Sequence, residues 1–245
     1  LARVRAVTLD LDDTLWPVWP TIERAEATMR AWLSYRAPIT ARASGDGHTQ
    51  RRLRDAVVAE QPAIVHHLGD LRREALRRLL VESGEDSALA DAAYAVFYEA
   101  RQQVDLYPDA LALLEALSKR FPVVALSNGN ADVHRVGIGQ YFHAAINPAT
   151  AGVSKPDPRI FQAAATAAGV ATAEVLHIGD DAQLDGAGAL AAGMQTIWVN
   201  RTDARWPNEL PQSPHAEVAS LTALRALVDA SAPQPASALA WPAPN

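Results

Sequence analysis

Residues 4–11 form a short β-branched, apolar run, Val-Arg-Ala-Val-Thr-Leu-Asp-Leu, that ends in acids. It reads as a buried strand whose C-terminal end delivers Asp10 and Asp12. Four similar runs follow much later, at 122–127, 144–147, 174–178 and 195–199. Each is continuous rather than alternating, as expected of parallel strands covered on both faces. Between the runs lie helical patterns. Leu111, Leu114 and Leu117 share a face at helical spacing, as do Ile160, Phe161, Ala164 and Ala168, and Leu184, Ala187 and Ala191. Strands alternating with helices predict an α/β fold with a doubly wound, Rossmann-like parallel sheet.

The gap between the first run and the second is different. From about residue 20 to 104 no strand pattern occurs, only helical stripes: Ile22, Ala25, Met29 and Trp32; Leu68, Leu71, Ala75 and Leu79; Leu89, Ala93, Val96 and Ala100. Such a block is far too long for a simple crossover. It predicts an all-helical cap subdomain at 18–105, inserted into a core made of 1–17 and 106–230. Residues 42–49, small and polar, read as a loop between two cap helices. The proline- and alanine-rich stretch 231–245 reads as a flexible tail with Trp241 as its one large anchor.

Composition narrows the function. The 245 residues carry a formal net charge of −6, which argues against a nucleic-acid binder. No stretch reaches the apolar length of a membrane span and none reads as a secretory signal, so the expectation is a cytoplasmic monomer or homodimer without a membrane partner. The absence of cysteine excludes disulfides and thiolate chemistry. Lys119 and Lys155 are the only lysines in an arginine-rich chain, which draws attention to any position that needs a compact ammonium.

In open α/β sheets ligands bind beyond the carboxyl ends of the strands. Those ends carry Asp10, Asp12, Asp13 and Thr14; Ser127, Asn128 and Gly129; Ser154, Lys155 and Pro156; and Gly179, Asp180, Asp181 and Asp185. Taken singly, these are ordinary caps, turns and loop residues. Jointly, in chain order at the ends of separate strands, they form the inventory of metal-assisted phosphoryl transfer. Clustered carboxylates recruit a cation, and hard oxygen ligands without histidine at ligand spacing favour Mg2+ over zinc. In that reading Asp10 attacks phosphorus, and Asp12 protonates the leaving alcohol and later deprotonates water. Ser127 and neighbouring backbone N–H groups hold the phosphoryl oxygens, and Lys155 offsets their charge and orients Asp10.

These four motifs resemble those of the haloacid dehalogenase-like hydrolase superfamily, and the helical insert resembles its first cap type. The resemblance covers residues 3–227. It implies a cation bound directly by the carboxylates of Asp10 and Asp180 and by the backbone carbonyl of Asp12, with Asp181 and Asp185 in the outer shell. It also implies a phosphate site that includes Leu11, Asp12, Ser127, Asn128 and Lys155. Within the superfamily, dehalogenases typically lack an acid two residues after the nucleophile, because halide departs unprotonated, so Asp12 points to phosphate esters. Residues 123–132, 10–15 and 177–181, with Gln61, Pro62 and His66 in the insert, look similar to bacterial phosphatases acting on flavin mononucleotide and related riboflavin-pathway phosphates. That likeness implies a small phosphorylated metabolite as substrate.

The insert adds further candidates. Trp16, Trp19 and Pro20 lie at the first hinge, where an indole could stack on a flat ring or simply pack. His66 and His67 are adjacent and cannot form a metal pair. Arg51, Arg52 and Arg54 could attract an anion or lie on a solvated face, and His177 reads as a strand histidine with a hydrogen-bond partner. Two other functions use the same inventory: a sugar phosphomutase and a phosphate-sensing module without hydrolysis. The position of Asp10 on the first strand and the size of the insert disfavour the second.

Overall fold

A computed structural model describes residues 4–230; the tail reading for 231–245, Trp241 included, lies outside the described residues. β1 (Ala6–Leu9) sits between β2 (Val123–Leu126) and β4 (Val175–Gly179). β3 (Ala144–Ile146) extends one edge, and β5 (Gln195–Val199) and β6 (Ala216–Val218) extend the other. Every pairing is parallel, and the order β3-β2-β1-β4-β5-β6 changes direction between β1 and β4. Such a switch point leaves a crevice beyond the carboxyl ends of the strands. The register sets Leu9 beside Ala125 and Ile178, so Asp10, Ser127 and Asp180 leave the sheet within a residue or two of one level.

The strand runs lack alternation because both faces of the sheet are covered. On one face Val7, Leu9, Val123, Ala125, Ile178 and Ile197 pack against α6 (Ala110–Ser118) and the helix Leu221–Ala230, elements numbered after the insert helices α1–α5 described next. On the other face Ala6, Val124, Leu126 and Val175 meet Ile160, Phe161 and Ala164 of the helix Pro158–Ala167. The hydrophobic driving force therefore acts on both sides of each central strand.

Between β1 and β2 lie the insert helices α1 (Val18–Ser34), α2 (Pro38–Ala43), α3 (Gly47–Glu60), α4 (Leu68–Glu82) and α5 (Leu89–Arg101). They enclose apolar clusters of their own. Ala25, Met29, Leu33, Leu76, Leu80, Ala93 and Phe97 form one; Leu53, Val57, Leu71, Ala75 and Leu79 form another. No described helix is long and apolar enough to cross a membrane.

Several local expectations need correction. In α6 Leu114 and Leu117 are buried as expected, but Leu111 is exposed and Leu113 takes its place on the core-facing stripe. Only 44–46 separate α2 from α3. Asp46 accepts from the backbone N–H groups of His48 and Thr49 and caps α3, which begins at Gly47, inside the predicted loop. The stripe Leu184, Ala187, Ala191 does not face the core. A π-helical turn over Ala182–Ala187 widens the spiral and turns Asp185, Gly186, Gly188 and Ala189 inward instead. β6 lies outside the predicted set, being three residues long and without an apolar run.

Candidate active site

The ends of β1 and β4 and the loop carrying Lys155 meet at one buried ammonium. Lys155 Nζ donates to Asp10 Oδ1 and to Asp185 Oδ1, each at 2.5 Å. Carboxylate oxygens of Asp10, Asp180 and Asp185 lie within 4.8 Å of one another. Thr14 Oγ1 ties two of these acids together, donating to Asp180 Oδ1 at 3.0 Å and to Asp10 Oδ2 at 3.4 Å. The backbone of Asp180 is fixed from β5 by Trp198, whose indole N–H donates to its carbonyl at 2.6 Å.

Local sequence explains why Lys155 arrives there. The side chain of Asn128, in the loop after β2, donates to the carbonyl of Lys155 at 3.0 Å and accepts its backbone N–H at 2.8 Å. One amide thus latches two loops. The Asn128 side chain is thus committed to the lysine loop, which leaves its backbone N–H, the kind of donor expected for the phosphoryl oxygens, for an anion. Leu11 is likewise a core side chain, so any contact with an anion falls to its backbone N–H. Ser127 is buried and its Oγ accepts from Gly129 N at 3.0 Å, so its hydroxyl hydrogen is left to donate.

Asp185 and Asp181 separate cleanly. Asp185 is buried, held by Lys155, by its own bond from Asp181 N at 3.1 Å and by His177 Nε2 at 3.1 Å. A carboxylate only accepts, so His177 carries its proton on Nε2 and its Nδ1 accepts from Thr8 Oγ1 at 2.8 Å. His177 is therefore a strand histidine holding an acid, as its sequence position suggests. Asp181 is exposed and caps the following turn through Gln183 N and Leu184 N. Asp185 can approach so closely because residue 179 is glycine: a Cβ there would lie 2.3 Å from Asp185 Cγ.

Charges follow from burial. Burial raises the Asp10 carboxyl well above its usual range, against the pull of Lys155 and with added repulsion from Asp185 and Asp180. Burial and the Asp185 charge push Asp180 up to about 7. Burial also opposes charge on Asp185, but Lys155 and His177 outweigh it and hold that carboxyl well below its ordinary value. Lys155 is held above its ordinary value in turn, because its two acids outweigh desolvation. Burial lowers His177 and keeps it neutral near pH 7. Fully ionised, the three acids would outnumber the one ammonium, so two of them resist ionisation.

Asp12 stands apart from that cluster. Its Oδ1 accepts from Trp16 Nε1 at 2.8 Å, and Arg101 Nη2 donates to Oδ1 and Oδ2 at 2.6 and 2.8 Å. Gly129 makes room for it, since a Cβ there would sit 2.4 Å from Asp12 Oδ2. Trp16 is fully buried, so the possibility of stacking on a ligand is overturned for it: the indole packs in the core and orients an acid. Trp19 and Pro20 are exposed on α1. Arg52 pairs with Glu82, Arg51 is exposed, and Arg54 lines a cavity of about 230 Å³ together with Asp12 and Arg101. A larger cleft of about 550 Å³ touches His66, His67, Asn128 and Gly129 but no acid of the cluster; chemistry is assigned to the Asp12 side. Arg101 is absent from the sequence-derived set. The stripe Leu89, Ala93, Val96, Ala100 hid it, whereas the buried face holds Ala90, Ala93, Phe97 and Arg101.

The family model of haloacid dehalogenase-like hydrolases matches residues 4–193. The chain belongs to this family. Among characterised proteins it is similar to the 5-amino-6-(5-phospho-D-ribitylamino)uracil phosphatase YigB of Escherichia coli, at 33% identity over 236 residues, 93% of this chain and 98% of that protein. It is also similar to phosphoserine phosphatase of Thermus thermophilus, at 33% identity over 165 residues, 65% of this chain and 66% of that one. Among solved structures, a 2-haloacid dehalogenase from Pseudomonas syringae pv. Tomato superposes with a TM-score of 0.86 at 36% identity, covering 94% of this chain and all of that one.

Two substitutions test the geometry. Lys155→Met leaves Asp10 and Asp185 buried without their shared cation, and urea denaturation at neutral pH should show a loss of about 3–5 kcal/mol. A loss below about 1 kcal/mol, the range of exposed pairs, would contradict the bridge. Gly179→Ala should cost about 1–3 kcal/mol by forcing Asp185 away; unchanged stability would mean that the close approach is not needed.

Proposed function

We propose that this chain is a magnesium-dependent phosphatase that hydrolyses a small phosphate monoester through an aspartyl-phosphate on Asp10. The observation that carries the reading is the convergence of Asp10, Asp180 and Asp185 on Lys155, with Asp12 two residues beyond Asp10 in the wall of a cavity. The donor set suits a hard divalent cation: the cluster offers carboxylate oxygens with no histidine or sulfur among them, and two of its acids resist ionisation until positive charge is added. Asp10 and Asp180, with the carbonyl of Asp12, would hold Mg2+, which supplies neutralisation of phosphate charge when bound; Asp185 orders Lys155 behind them.

The residues then divide the work. Asp10 attacks phosphorus, forming an acyl-phosphate oxygen–phosphorus bond as the bond to the leaving alcohol breaks. Asp12 gives its proton to the departing oxygen. In the second step Asp12 accepts a proton from water, water attacks phosphorus, and inorganic phosphate leaves as the Asp10 carboxylate is restored. Ser127 donates to a phosphoryl oxygen throughout, and Lys155 keeps Asp10 oriented and offsets charge. Trp16 and Arg101 fix the carboxyl that must reach the leaving oxygen.

The substrate reading is a riboflavin-pathway phosphate, either flavin mononucleotide or the ribitylaminouracil phosphate named for YigB. The likeness of motif residues and the near-complete coverage of YigB support it. Likeness to a dehalogenase structure does not favour carbon–halogen cleavage, because halide needs no proton and the chain holds Asp12 in place with two side chains.

A phosphate-release screen over flavin mononucleotide, ribitylaminouracil phosphate, phosphoserine and sugar phosphates, with a 2-haloacid scored for halide, should give phosphate only, and only with magnesium. Halide release, or equal rates in excess chelator, would overturn the reading. Asp10→Asn should lower turnover by a factor on the order of 10³ or more with the fold retained by circular dichroism; near-normal rates would reject Asp10 as nucleophile. Because Asp180 holds a proton below about pH 7 without metal and Asp10 is raised too, cation binding expels protons. Magnesium affinity, read by calorimetry, should fall at least about tenfold per pH unit as pH drops below 7, about one factor of ten for each proton expelled, and a flat profile from pH 5 to 8 would contradict it.

A further inference from the structure

On the phosphatase reading, the leaving group sits beside its proton donor, and the cavity with Asp12 in its wall is the one of about 230 Å³. That volume is below the range of about 300–1,000 Å³ that accepts drug-sized ligands, so it takes a short chain. Longer substrates continue past Leu68, Gly129 and Asn130, which also border the cleft of about 550 Å³. Of the polar residues lining the smaller cavity, Asp12, Arg54, Arg72, Arg101 and Asn130, only Arg101 carries buried donors without a partner. Arg101 is 1% exposed, and its Nη2 is spent on Asp12. Its Nε and Nη1 are buried with no hydrogen-bond partner. Arg72, which lines the same cavity, is already engaged, donating to Glu26 and lying over the Phe97 ring. Buried donors without acceptors are destabilising, and their residue lines the cavity that the leaving group would enter.

We infer that Arg101 determines specificity: while Nη2 holds Asp12, Nε and Nη1 read an oxygen on the leaving group, selecting phosphate esters of hydroxylated chains over esters of plain hydrocarbon alcohols of equal length. The remaining wall is largely apolar, with Phe97, Leu71 and Ile22, and by itself would favour the hydrocarbon. Magnitudes decide the conflict. An apolar pocket discriminates by about 10–200-fold per methylene, whereas a site built to hydrogen-bond an oxygen rejects the analogue lacking it by up to about 10⁴–10⁵.

The matched pair is ribitol 5-phosphate and n-pentyl phosphate. In the wild type kcat/KM should favour the ribitol ester by about 100-fold or more. In Arg101→Lys and Arg101→Met that ratio should fall at least about tenfold. Loss of the grip on Asp12 slows both substrates alike and cancels in the ratio, as does any inactive fraction. Equal kcat/KM for the two esters in the wild type overturns the inference even if neither variant folds. An unchanged ratio in an active variant overturns it too, leaving Arg101 as a clamp on Asp12 alone. Hydrolysis of other esters but not of ribitol 5-phosphate overturns this inference and spares the phosphatase reading. Phosphate release from no ester overturns both.

Discussion

A single buried ammonium organises the catalytic end of this sheet. Lys155 bridges Asp10 and Asp185 at 2.5 Å each, and without it two desolvated carboxylates would face each other unpaired. Everything around it serves to keep that contact possible. The Asn128 side chain holds the lysine loop from both its carbonyl and its amide. Glycine at 179 leaves the space that Asp185 occupies, and His177, anchored by Thr8, fills the far side of the same carboxylate. The bridge is incomplete as charge compensation. Asp180 and Asp10 remain reluctant to ionise, which is the electrostatic state expected of a place meant for a cation.

The acid at position 12 is governed by a second set of contacts that comes partly from the helical insert. Trp16 reaches it from the loop after β1, and Arg101 from the last turn of α5. The insert and the sheet therefore meet at the group that would handle the proton. An insert that merely covered the crevice would have no need to send a buried guanidinium to it. The same residue lines the adjoining cavity.

The layout of the sheet was largely legible from the chain, because continuous apolar runs ending in acids or Ser-Asn-Gly have few alternatives once they recur between helical stripes. Five of the six strands were visible this way; β6 was not, since three residues without an apolar run carry no period. The helical stripes were placed less well, as Leu111 and the turn at Ala182–Ala187 show: a stripe shifted by one residue looks almost as apolar, and a π-turn breaks the 3.6 period altogether. Within the site, residues next to one another in sequence were legible as motifs, while partners brought by tertiary packing were not. The latch between the Asn128 side chain and the Lys155 backbone was not legible, because it is made only when two loops meet. Arg101 was invisible among many arginines, and only the burial of its helix face singles it out. Trp16 offered stacking as well as packing until its indole N–H was seen on Asp12.

The central claim is that Asp10, held by Lys155 among its neighbouring acids, takes the phosphoryl group. The most direct measurement is acid quenching of the protein during turnover of a phosphate ester with magnesium, followed by mass spectrometry of its peptides. The account predicts a phosphoryl adduct mapped to Asp10 that appears within the first turnover and decays as substrate is exhausted. Turnover accompanied by no adduct at any quench time, or by an adduct on another residue, would contradict it.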